Sequence, residues 1–211
     1  AARRLRALNP LITIVPRCER FSRSNALERL QDCDLLLDGS DNFATRYLVN
    51  DACVLAGKPF VYGAIQGFSG QTSVFNWRGG PTYRCLFPQP APATERPNCA
   101  EAGVLGVLPG LIGTLMATEA IKLISGIGQP LSGRLLLWDA LTLQVRTLAL
   151  TADAQQRQIS QLAPEFDDLS CALQSSSGGD EIDAVELRGL LPTLQLIDVR
   201  APWERALGAI A

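Results

Sequence analysis

Residues 35–53 read LLLDGSDNFATRYLVNDAC, an apolar run that meets Ser40, Asp41 and Asn42 and passes at once into a helical pattern. A carboxylate or amide at such a junction has two chemical uses. Asp41 or Asn42 can cap the helix by accepting one of its free backbone N–H groups. Asp41 can instead offer a hard oxygen to Mg²⁺ held against a triphosphate, beside a helix N-terminus that favours anions. On these residues alone both uses stay open.

The other candidate reactive groups are six cysteines, Cys18, Cys33, Cys53, Cys85, Cys99 and Cys171. No two are spaced CxxC and several lie in apolar runs, which is the usage of a reducing, cytoplasmic protein with buried free thiols. Histidine is absent. That removes imidazole acid–base chemistry and the Ser-His-Asp and Cys-His systems from these residues. What remains is carboxylate, thiol, arginine, lysine or metal-bound nucleotide chemistry.

The elements that must position these groups alternate. Residues 1–8 form a helical pattern that stops at Asn9-Pro10, and 11–15 read as a short β-branched strand. Asn25 and Glu28 have capping-box spacing ahead of a short helix. The run 34–37 is the near-continuous apolar signature of a strand covered on both faces in a parallel sheet. A helix over 42–56 should stop at Gly57, with Pro59 beyond it. Residues 60–65 supply another buried strand, and 71–77, 134–138 and 141–150 read as further strands. The predicted fold is α/β, a doubly wound, mostly parallel sheet with an antiparallel extension. In such sheets ligands bind beyond the carboxyl ends of the strands, which is where Asp41 falls.

The proline-rich 88–97 has no periodic pattern and reads as a loop. Residues 102–118 are uncharged but interrupted by Pro109 and followed by Glu119 and Lys122, so we expect a buried core helix rather than a membrane span. Packing around Leu105, Leu108, Leu111, Ile112 and Leu115 should supply stability. Gly103, Gly106, Gly110 and Gly113 suit close helix–sheet or dimer packing. The formal net charge of −2 gives no footprint for nucleic acid or an anionic membrane. Residues 153–180 read as a linker ending in QSSSGGD, and the pattern restarts from 181. Neither end carries a capping or turn signal, so we expect a piece of a longer polypeptide.

LLLDGSDNFATRYLVNDAC, followed by GKPFVYGAIQGFSGQTSVF, TYRCLFP and NCAEAGVLGVLPGLIGTLMATEAIK, closely resembles the ThiF/MoeB group of the ubiquitin-activating superfamily. The resemblance runs in order through residues 1–152. The tail LQLIDVRAPWERALGAI looks like the opening of a rhodanese domain over 181–211, as in MoeB-rhodanese fusions, although Ala209 stands where that pattern usually has histidine.

The resemblance implies a reaction. ATP and the C-terminal Gly-Gly carboxylate of a ubiquitin-like sulfur-carrier protein give an acyl-adenylate and pyrophosphate, and sulfur then displaces AMP to leave a thiocarboxylate. The family's metal-binding aspartate falls on Asp41, the Mg²⁺ ligand, with Asn42 beside it at the nucleotide. Arg46 matches a recurrent family arginine, assigned here to the nucleotide side. Cys99 falls on a cysteine that in relatives links covalently to the carrier; a small packing residue is the plainer use of a free cysteine. A homodimer is implied as well.

Two departures matter. The family's structural zinc takes two CxxC pairs; here Thr82 stands in place of one partner of Cys85, and only Cys171 remains of the second pair. One thiolate cannot satisfy a four-coordinate zinc site, so no zinc is expected. The family's phosphate loop, ribose carboxylate and phosphate-gripping Arg and Lys precede a helix like residues 1–8 and do not occur here, so the chain alone is expected to be inactive. The rival readings are an NAD(P)-dependent oxidoreductase, whose GxGxxG marker is not present, and a non-catalytic scaffold of the same fold.

Overall fold

A computed structural model of the chain describes residues 1–90 and 103–162. All of them belong to the first of two compact units, Ala1–Cys171 and Ala172–Ala211. Helix α1 spans Ala2–Leu8 and α2 spans Ala26–Gln31. Strand β1, Leu36–Asp38, lies parallel to β2, Phe60–Gln66, with Leu36 opposite Phe60 and Asp38 opposite Tyr62. Parallel neighbours cannot be joined by a tight turn. Helix α3, Phe43–Leu55, makes the crossover. It stops where expected: Gly57 takes φ +64°, the Lys58 N–H bonds Cys53 O at 2.8 Å, and the Gly57 N–H bonds Val54 O at 3.1 Å. That is a Schellman ending, which needs a left-handed residue.

Beyond β2 the chain folds back on itself. Gly67, at φ +54°, turns it into β3, Ser69–Phe75, which runs antiparallel to β2. Helix α4, Tyr83–Leu86, and helix α5, Leu108–Ser125, precede β4, Arg134–Asp139, which pairs with β3. Strand β5, Gln144–Ala149, pairs with β4, giving the order β1-β2-β3-β4-β5. The α/β class is as predicted, but the sheet is not mostly parallel among the described residues. Among the named strands only β1–β2 is parallel: the short reversals after β2 and β4 oblige β2–β3 and β4–β5 to be antiparallel, and β4 returns antiparallel to β3 after the connection through α4 and α5.

Residues 11–15 are not a strand. Leu11 and Val15 are 93% and 65% exposed, and among the described residues no strand lies beside this run to give it a ladder. Nor does Asn25 form the expected capping box. Its Oδ1 accepts the Ser22 N–H at 2.8 Å, and its Nδ2 donates to Arg20 O at 2.9 Å.

The sheet carries a core on each face, and β2 alternates between them. Phe60 and Tyr62 pack with Tyr47, Cys53, Phe75 and Tyr83, while Val61 packs with Val74, Ile112, Met116 and Leu123 of the α5 side. Burial pushes the Cys53 thiol up to about 12. The expectation of buried thiols fits Cys53, whereas Cys18 is exposed and Cys33 and Cys85 are half-buried.

Helix α5 lies close on the sheet: a Cβ at Gly63 would stand 2.1 Å from Met116 Sδ, and one at Gly70 would stand 2.5 Å from Ile112. The gaps that admit α5 are thus in the strands. Gly110 and Gly113 have nothing within 4 Å of their Cβ positions, so helix–sheet packing is not their role. Leu108 and Ile112 are buried as expected, but Leu105 is 37% exposed, and Ile121 and Ile124 face outward. Although α5 has the length and hydropathy of a membrane span, one face of it rests on β2 and β3.

This packing yields a stability prediction. Ile112→Ala should cost ~2–5 kcal/mol, because the helix cannot sink further onto Gly70 to fill the void. The outward Ile124→Ala should stay within about 0.5 kcal/mol of wild type. Denaturant unfolding of the chain measures both; equal losses would contradict the orientation of α5.

Candidate functional site at the β1–α3 junction

Strand β1 ends on Asp38, and Gly39, Ser40 and Asp41 separate it from Asn42. Asn42 is the N-cap of α3: its backbone is extended (φ −128°, ψ 149°) and its Oδ1 accepts the Thr45 N–H at 2.8 Å. The cap is therefore Asn42, and Asp41 is left for other work. The Asp41 carboxylate is exposed and accepts one hydrogen bond among the described residues, from Asn42 Nδ2 at 3.3 Å.

Arg46 lies one turn into α3 and is 8% exposed. Its Nη2 donates to Ser40 O at 3.0 Å. The guanidinium lies 5.5 Å from the Phe43 ring centre and 5.6 Å from that of Tyr62, within cation–π range. Its Nε is buried without a hydrogen-bond partner.

These residues open onto a cavity of about 560 Å³ whose walls include Asp41, Arg46, Tyr62, Gln71, Tyr83 and Arg146. The Tyr62 hydroxyl accepts from Gln71 Nε2 at 2.8 Å. The buried Tyr83 hydroxyl meets the Arg46 side chain. Burial raises both phenols above their ordinary range, opposed by the Arg46 charge, so both are neutral O–H groups at neutral pH. Asp139, also on the wall, is held below the usual carboxylate range by the backbone N–H groups of Leu141 and Thr142. The cavity thus combines two guanidinium groups, neutral phenols and an open carboxylate.

The donor set suits Mg²⁺ and a nucleotide. No group of three or more metal-ligating side chains gathers among the described residues. A lone carboxylate sharing the ion with ligand oxygens and water is nevertheless how Mg²⁺ is commonly bound. Beside Asp41, a Cβ at Gly39 would meet nothing within 4 Å, so the backbone there is open to close approach.

Cys99 lies outside the described residues, as does Cys171. Cys85 Sγ accepts the N–H groups of Thr82 and Asp153, each at 3.3 Å, and the Thr82 hydroxyl donates to Gln156 O at 3.3 Å. The sequence singled out Asp41, Asn42 and Arg46, which the fold brings together at this junction, but not Asp38, Tyr62, Gln71, Tyr83 and Arg146 beside them. Asp38 carried a signal, as an acid closing an apolar strand. The others come from distant segments that only the folded sheet brings together.

Residues 1–159 match the ThiF family. The sulfur carrier protein adenylyltransferase of Thermus thermophilus is 55% identical over 155 residues, covering 71% of this chain and 57% of that protein. The probable adenylyltransferase/sulfurtransferase MoeZ of Mycobacterium tuberculosis is 45% identical over 210 residues, covering 94% and 53%. The adenylyltransferase and sulfurtransferase MOCS3 of Arabidopsis thaliana is 47% identical over 156 residues, covering 74% and 34%. The chain spans about half the length, or less, of these relatives. Crystal structures of Escherichia coli MccB share the fold: one aligns with a TM-score of 0.61 at 15% identity, covering 72% of this chain and 46% of that one. On its sequence match over residues 1–159, the chain belongs to the ThiF family.

Proposed function

We propose that the full-length gene product adenylates the C-terminal Gly-Gly carboxylate of a ubiquitin-like sulfur-carrier protein, the step that leads to its thiocarboxylate. The observation that carries this reading is the division of labour at the junction: Asn42 caps α3, so the neighbouring Asp41 carboxylate is open at the mouth of a cavity. The names of the adenylyltransferase relatives support it. No observation favours the oxidoreductase or scaffold readings.

In this reading the carrier carboxylate attacks the α-phosphorus of ATP and pyrophosphate leaves. Mg²⁺ supplies neutralisation of phosphate charge; Asp41 would hold it, with Asn42 and Arg46 beside the nucleotide. The chain's own contribution is binding and orientation. Arg46 and Arg146 draw an anionic tail inward, and the neutral Tyr83 hydroxyl is a donor for a main-chain carbonyl. A cavity of about 560 Å³ is in the range that encloses small ligands, and a Gly-Gly tail carries no side chain to exclude.

We further read residues 1–152 as the adenylation part, 153–180 as a linker and 181–211 as the start of a rhodanese-like domain, in a cytoplasmic protein. We read the chain as zinc-free, because Thr82 stands in place of one partner of Cys85 and one thiolate cannot satisfy a four-coordinate site. The outward face of α5, with Gly110, Gly113, Ile121 and Ile124, supports a homodimer.

Asp41→Ala in the full-length product should lower carrier-dependent pyrophosphate exchange into ATP by at least ~100-fold, the scale of losing a charge-stabilising contact. Exchange at the normal rate would sink the assignment of Asp41. Cys99→Ala should leave exchange intact but slow thiocarboxylate formation, read by the mass of the carrier after a single turnover. Unchanged thiocarboxylate yield would make Cys99 a packing residue. Native mass spectrometry of the chain should show a zinc-free dimer; a monomer or bound zinc overturns the corresponding part.

A further inference from the structure

The loop that delivers Asp41 has almost no packing of its own. Gly39 and Asp41 are exposed, Ser40 is half-buried, and nothing lies within 4 Å of a Cβ placed on Gly39. Apolar contact cannot set the direction of such a loop, which leaves hydrogen bonds. Two buried charged side chains supply them from different elements. Asp38, at the end of β1, accepts the Ser40 N–H through Oδ1 at 2.9 Å. Arg46, on α3, donates from Nη2 to Ser40 O at 3.0 Å.

We infer that Asp38 is a positioning residue for Asp41: its carboxylate and the Arg46 guanidinium grip the two peptide planes flanking Ser40 and so fix the direction in which Asp41 leaves the loop. The inference rests on the proposed role of Asp41, because a fixed direction matters only if that carboxylate meets a ligand.

The energetics of Asp38 argue against a purely structural role. It is 4% exposed, and burying a carboxylate is costly. Burial accordingly pushes the Asp38 carboxyl above its usual range, with the Ser40 N–H, the Ser40 side chain and the Arg46 charge opposing. A carboxylate raised in the folded state destabilises the fold at neutral pH, where the unfolded chain is ionised. Stability alone would favour a neutral side chain here. What Asp38 offers instead is a side-chain acceptor for the Ser40 N–H, opposite the Arg46 contact on Ser40 O. Asp38 also lies opposite Tyr62 in the β1–β2 register, so the same residue joins the loop to the strand that walls the cavity.

The test compares Asp38→Ala, which removes the acceptor, with Asp38→Asn, which keeps an acceptor oxygen and removes the charge. Amide hydrogen exchange of Ser40 is read in the 211-residue chain by NMR. It is normalised to the Leu36 amide, which bonds Pro59 O at 3.2 Å, so that global destabilisation cancels. Asp38→Ala should speed Ser40 exchange about tenfold, the factor one hydrogen bond is worth. Asp38→Asn should stay near wild type and unfold at the same or a higher temperature. In the full-length product, Asp38→Ala should raise the Mg²⁺ concentration for half-maximal exchange by a similar factor at unchanged KM for the carrier, and Asp38→Asn should restore it. Unaltered Ser40 exchange in Asp38→Ala, an Asn variant that fails to rescue, or an Ala variant that does not fold each overturns the inference while leaving the Asp41 reading intact. Failure of that reading shows separately, as an Asp41→Ala variant at wild-type rate.

Discussion

The site depends on one parallel contact, β1 against β2. Parallel strands oblige the chain to cross back along a helix, and a helix that follows β1 must begin beyond that strand's carboxyl end. Three residues, Gly39 to Asp41, bridge the gap. Their position is therefore a consequence of topology, and the carboxylate among them comes to lie where α/β sheets bind ligands. The register completes the site. With Asp38 opposite Tyr62, the phenol of β2 stands next to the junction, and Arg46, one turn into α3, closes over both.

The wall of the cavity is also the core of the protein. Tyr83 packs against Tyr47, Tyr62 and Phe87 with ring centres 5.2, 5.4 and 5.1 Å apart. The rings bury apolar area while their polar tips remain available. Burial keeps those tips protonated. A guanidinium between two rings, as Arg46 is, gives up hydration for the ring faces and a single carbonyl. Arg46 Nε keeps hydrogen-bonding capacity that a polar ligand could use. Arg46, Tyr62 and Tyr83 are organised before any ligand arrives because they are core residues.

What was legible in the sequence was local. The Gly57 stop is written in one residue's backbone freedom, and the 42–56 helix in its own periodicity. The cap at 41–42 was readable as a cap, but Asp41 and Asn42 are both good capping types; only the Asn42–Thr45 hydrogen bond separates them. Whatever depended on a partner elsewhere was not legible. Residues 11–15 have strand composition but no neighbouring strand among the described residues, and Asn25 has capping-box spacing but bonds backward to Ser22 and Arg20. The glycines that admit α5 are Gly63 and Gly70, not the spaced set on the helix itself. Arg146 comes from β5, some hundred residues beyond Asp41, and only the β3–β4–β5 meander brings it to the same cavity.

Helix α3 does more than cross over. It presents Tyr47, Asn50 and Asp51 to α4. Asn50 Oδ1 accepts the Tyr83 N–H at 2.8 Å, and Arg84 donates from Nε and Nη2 to the two Asp51 oxygens at 2.7 and 2.8 Å. The Arg84 guanidinium also lies 4.8 Å from the Tyr47 ring centre. A buried bidentate pair of this kind is weak evidence of net stability, but its geometry is highly specific. It fixes α4 to the helix that Asn42 caps. Thr82 and Cys85 then tie α4 to Gln156 and Asp153. The open carboxylate at one end of α3 and helix α4 are thus held by a single element. A displacement of α3 along its axis would have to break the Ser40–Arg46 contact, the Asn50–Tyr83 bond and the Asp51–Arg84 pair together, and that shared dependence keeps the junction in register with the rest of the sheet.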